Sequence, residues 1–148
     1  MDWRKHISTL LPDMEFNPPA RPEEIRDIET KLNVAVPEAL REVWGQSNGL
    51  YHNGACFVWS TDDIVKENQE MRTFPGLNEL YMPFDTLLFF GDDGGGDLFF
   101  FPILDGKIRN EFMFRWNHET DSRILEAHHL KTFVDKFIAA ILEARSEA

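Results

Sequence analysis

The last quarter of the sequence strongly limits how the chain can fold. Leu130, Phe133, Val134, Phe137, Ile138, Ile141 and Leu142 recur at steps of three and four residues, a spacing that lines one face of an α-helix with apolar side chains. Such a stripe is stable only when covered, and the preceding sequence supplies a cover in strand form. Thr86 to Phe90, Leu98 to Leu104 and Lys107 to Trp116 read as strands, with Ala55 to Trp59 as an earlier one. Asp105-Gly106 is a two-residue hairpin signal. The run Gly91-Asp92-Asp93-Gly94-Gly95-Gly96-Asp97 makes a longer, flexible turn between the first two late strands. The closing helix is expected to lie across this sheet.

Ahead of the strands the period is helical. Trp3, Ile7, Leu10 and Leu11 form a short stripe that stops at Pro12. Pro22 suits a first helical position, Glu23 and Glu24 suit the positive end, and Ile25, Ile28 and Leu32 bury one face. Pro37 restarts a helix through Leu40, Val43 and Trp44, expected to end near Asn48-Gly49 with Gly49 as a left-handed cap. Ser60-Thr61-Asp62-Asp63 offers helix-start chemistry for Ile64 to Met71. Helical pair, strand meander and helix in that order predict an α+β fold, a mostly antiparallel sheet flanked by helices. At 148 residues the chain reads as a single domain.

Several classes are disfavoured. The longest apolar runs are four or five residues, too short to cross a membrane. No secretory signal pattern follows Met1, so a cytoplasmic protein is expected. Cys56 stands alone, which excludes an internal disulfide and a thiolate zinc cluster. Fifteen Lys and Arg against twenty-six Asp and Glu leave a net charge of −11, which disfavours direct contact with nucleic acid or anionic membranes. Thirty-four consecutive residues between Arg72 and Lys107 lack any base while holding Glu79, Asp85, Asp92, Asp93, Asp97 and Asp105. This distribution suggests a negative face for a basic partner.

The chemical motifs are weaker. Gly45-Gln46-Ser47-Asn48-Gly49 matches G-x-S-x-G, but a nucleophile elbow needs a strand before the serine and a helix after it. Here a helix precedes Ser47, and helix capping is the better account. A small serine hydrolase using Ser47 is the least favoured reading. Asp92, Asp93 and Asp97 do not fit the spacing of an EF-hand loop from any start. His6, His52, His118, His128 and His129 form no zinc-type pair. No metal, cofactor or catalytic residue is expected.

Taken in order, the motifs resemble the SUKH superfamily, whose bacterial members are largely immunity proteins and whose fungal branch regulates cell-wall synthesis. The resemblance rests on Pro22-Glu23-Glu24-Ile25 through Glu29 and Leu32, then Val36-Pro37, Leu40 and Asn48-Gly49. It continues through Leu87-Leu88-Phe89-Phe90-Gly91-Asp92, Gly94-Gly95-Gly96-Asp97 and Phe99-Phe100. Phe114-Arg115-Trp116-Asn117-His118-Glu119 stands where the family strand takes a Val-Trp-Asp-His-Glu type of ending, with Asn117 in place of a frequent aspartate. Residues 21–142 form the family-like core, and residues 1–20 are an N-terminal extension. The resemblance implies a cytoplasmic immunity protein that neutralises a cognate toxin, such as a nuclease, through direct contact with the toxin's basic surface. Candidate contacts are Asp92, Asp93, Asp97, Trp116, His118, Glu119 and Asp121, with Trp44 and Asn48 beside them. The alternative is a general interaction or regulatory module with no toxin target.

Overall fold

The structure is a computed structural model describing residues 1–147. Its elements are α1 (Trp3–Leu10), α2 (Pro22–Leu32), α3 (Glu38–Trp44), β1 (Leu50–His52), β2 (Ala55–Val58), α4 (Thr61–Thr73) and α5 (Leu77–Leu80). They continue as β3 (Leu87–Asp92), β4 (Leu98–Pro102), β5 (Met113–Trp116), β6 (Arg123–Ala127) and α6 (Leu130–Glu147). Strands β3-β4-β5-β6 form one antiparallel meander, and β1 and β2 form a separate hairpin. This is the expected α+β fold.

The meander is walled by aromatic side chains on both faces. On one, Phe133 of α6 sits edge-on against Phe90 and Phe99, with ring centroids 5.3 and 4.7 Å apart, and Phe137 stacks on Phe57 at 4.5 Å. On the other, Phe89 and Trp116 pack edge-on against Phe84, and Phe100 packs edge-on against Phe89. Burial on both faces explains why β3 opens with the unbroken apolar run Leu87-Leu88-Phe89-Phe90 rather than an alternation. Trp3, Ile7 and Leu11 of the N-terminal segment belong to this same core.

The outer edge of β3 is closed by side chains. Asn68 of α4 donates from Nδ2 to the Phe89 carbonyl (2.8 Å) and accepts the Phe89 N–H on Oδ1 (2.9 Å). Arg72 donates to the Leu87 carbonyl at 2.9 Å. A short approach from the β1–β2 hairpin completes the edge through Trp59 N–H to Phe90 O at 2.7 Å. Gly91 is required there, because a Cβ would collide with the backbone of Phe57.

Several sequence expectations are corrected. Helix α3 is capped at Gly45 in a right-handed conformation, whereas Gly49 (φ 98°) turns the chain into β1. Strand β1 was absent from the sequence reading, although Asn53-Gly54, with φ 45° and 85°, is a strong hairpin dipeptide. Asp105-Gly106 does turn the chain, pairing Leu104 with Lys107. The chain then leaves the sheet until Met113, because Asn110 Oδ1 captures the Phe112 N–H in a local turn at 3.0 Å. Strand β6 and the short α5 were also missed.

Candidate interaction surface

The glycine-rich connection between β3 and β4 is tied down, not free. Arg115 of β5 reaches Asp93 Oδ2 at 3.0 Å and Asp97 Oδ2 at 3.1 Å, while its guanidinium lies over the Phe99 ring at 4.9 Å. His118 Nδ1 lies 2.7 Å from Asp97 Oδ1, and the His118 N–H donates to the same oxygen. Asp93 Oδ1 accepts the N–H groups of Gly95 and Asp97. Burial raises the Asp97 pKa, but the hydrogen bonds from His118 and Arg115 outweigh it and leave the carboxyl below its usual range. The expectation of a flexible turn is therefore corrected: the Asp97 side chain is only 14% exposed. Asp92 faces elsewhere, accepting from Trp59 Nε1 at 2.8 Å and from the Gly94 N–H at 2.9 Å.

A second constellation joins the turn after β5 to the chain before β3. Trp116 Nε1 donates to Asp121 Oδ1 at 2.8 Å, and Asp121 Oδ2 accepts the Met82 N–H at 2.8 Å. Arg123 completes it with bonds to Asp121 and to the carbonyls of Met82 and Pro83. Burial acts to raise the Asp121 pKa, yet these donors hold it below the ordinary carboxylate range. Trp116 is buried, so it anchors this joint and presents no surface. Trp44 is buried completely, with Nε1 donating to the Trp59 carbonyl at 2.9 Å. Asn48 accepts the Thr61 N–H at 2.8 Å and ties α3's exit to α4's start.

Ser47 is buried and fully committed. Its hydroxyl donates to the Gly49 carbonyl at 2.8 Å and accepts the Asn17 N–H at 3.0 Å. That is a turn clasp between α3 and β1, not a strand-to-helix elbow. Of the candidate contacts, His118 and Glu119 remain open to solvent; the rest mainly support the loops around them.

The acidic surface lies elsewhere. Asp63, Glu67 and Glu70 of α4 fall at i, i+4 and i+7 on one face, with Asp62 at its start, and none has an ion-pair partner among the described residues. Burial raises the Glu67 pKa, and repulsion from Glu70, Asp63 and Asp92 raises it further against the pull of Lys66. The same neighbourhood, with burial as the leading cause, pushes the Cys56 thiol up to about 12. The helical spacing of these acids was visible in the sequence. Their lack of counter-ions was not, because it depends on where every base sits in space.

One groove is mainly apolar. It encloses about 640 Å³ along α6, floored by Phe133, Phe137 and Ile141 and rimmed by Arg115, Lys136 and Arg145. Among the described residues no cluster of His, Cys, Asp and Glu could hold a metal ion, and no helix is long and apolar enough to cross a membrane.

The helix-flanked antiparallel meander, with its β3–β4 and β5–β6 connections braced by Arg115 and Arg123, defines an α+β domain. The SUKH_6 family model, described as SMI1-KNR4 cell-wall, matches residues 22–134, and the chain belongs to the SUKH superfamily. It is also similar to the uncharacterized protein YnaB of Bacillus subtilis (strain 168), 38% identical over 60 residues. That similarity covers 40% of this chain and 41% of YnaB.

Proposed function

We propose that the protein is a cytoplasmic immunity protein that binds a cognate toxin directly and blocks it, transforming nothing itself. The observation that carries this reading is the row of unpaired carboxylates on α4 in a member of the SUKH superfamily. A toxin that handles a phosphate backbone needs a basic cleft, and an acidic helix face complements such a cleft. An interface of about 800 Å² per partner takes roughly a tenth of the 8194 Å² surface. Charge then accelerates encounter, while a few apolar contacts supply most of the affinity.

Co-purification from the native cell, with identification of the bound protein, tests the reading. Asp63→Asn/Glu67→Gln/Glu70→Gln is then expected to slow association with that toxin by about tenfold at low salt and to flatten the salt dependence of the rate. Equal on-rates for both versions across a salt series remove the α4 face from the reading.

A further inference from the structure

The segment joining α4 to β3 presents a cluster of apolar side chains that the fold does not use. Phe74 is 62% exposed, Leu80 73% and Met82 56%. Phe74 and Met82 flank one hollow of about 320 Å³, walled by Pro75, Pro83 and Phe84. Burying such side chains is the main source of stability at an interface, and leaving several together in water is unfavourable without a partner. The segment and the helix end before it carry several acids without a counter-ion. Glu70, Glu79 and Asp85 are exposed and have no ion-pair partner among the described residues. Arg72 lines the same hollow but donates from its guanidinium to the Leu87 carbonyl, and Arg123 is committed to Asp121 and to the carbonyls of Met82 and Pro83. The segment also lies within the thirty-four residues that contain no Lys or Arg.

We infer that residues 74–85 form a docking epitope for an amphipathic cationic segment of a partner protein. The partner inserts an apolar side chain between Phe74 and Met82, and its flanking Lys or Arg side chains meet Glu70, Glu79 and Asp85. The inference rests on the proposed function as a toxin-binding protein and names the chemistry of the contact. The unpaired acids repel an acidic partner segment, and a purely charged one leaves the Phe74 and Met82 side chains uncovered.

The test uses the full chain and a synthetic fourteen-residue peptide, about four helical turns, with Leu and Lys at helical spacing. Oligolysine of equal charge and a Leu/Glu analogue serve as controls, with binding read by fluorescence anisotropy. The Leu/Lys peptide is expected to bind at least about tenfold more tightly than oligolysine, and the Leu/Glu analogue not at all. Phe74→Ser/Met82→Ser is expected to lose about tenfold or more for the Leu/Lys peptide, with circular dichroism reporting that the variant is folded. Ala144→Gln, in the separate groove along α6, is expected to change nothing. Equal binding of oligolysine, no effect of the Phe74/Met82 change, or no binding of either cationic peptide overturns the epitope. Those outcomes leave toxin binding to be judged by co-purification, so the two readings fail separately.

Discussion

Replacing Asn68 by Leu tests how α4 and the sheet are joined. The Asn68 side chain is fully buried and acts as a one-residue strand, taking both the N–H and the C=O of Phe89. Leucine has nearly the same volume but offers no polar atom, so both backbone groups become buried and unpaired. Each such group costs roughly 1–3 kcal/mol, or about 2–6 kcal/mol for the two. The added apolar surface returns about 1 kcal/mol, leaving a net loss of about 1–5 kcal/mol. Against a total stability of about 5–15 kcal/mol for a domain, that is a large shift. Urea unfolding followed by tryptophan fluorescence measures it directly, since all four tryptophans are buried. Gln69→Leu, on the exposed side of the same helix, controls for helix propensity. A loss below about 1 kcal/mol for Asn68→Leu, no larger than for Gln69→Leu, refutes the argument that this side chain completes the sheet edge.

The acid limb of stability and the cysteine provide two further checks. Asp97 and Asp121 are held below the ordinary aspartate value of 3.8, so their contribution is fully present above that pH and is lost as pH falls through their lower folded-state values. The urea midpoint is expected to drop as pH falls below about 4, with Asp97→Asn giving a flatter profile; a midpoint that holds steady on acidification contradicts the assignment. Cys56, with its thiol pushed up to about 12 by burial and by Asp92 and Asp63, is expected to resist a disulfide-exchange reagent at pH 8 until urea unfolds the chain. Rapid labelling of the native protein overturns that account.

The sequence revealed elements where one local pattern was strong. The stripe from Leu130 to Ile141 became α6, Pro22 opened α2, and Ser60 capped α4 by accepting the Asp63 N–H. It misled where two local chemistries competed. The apolar residues of 107–112 suggested a strand, but the Asn110 turn and the polar run Arg109-Asn110-Glu111 break it. Strand β6 was unreadable because two of its side chains, Ile124 and Leu125, are exposed at 63% and 44% and show no alternation. The candidate contacts show the same division. Asp93 and Asp97 do come together, but on Arg115, twenty-two and eighteen residues away in sequence, and His118 joins them through Asp97.

The sequence by itself determined the helical and strand faces, the α+β order and the family, because periodicity and turn chemistry act over a few residues. Only the tertiary structure decided which charges are free. An aspartate in a glycine loop and one on a helix look alike in the sequence, yet Arg115 pairs with the first and, among the described residues, no base pairs with Asp63. The physical reason is that a charge is compensated by whatever lies within a few ångströms of it, and the fold, not the chain order, brings those groups together.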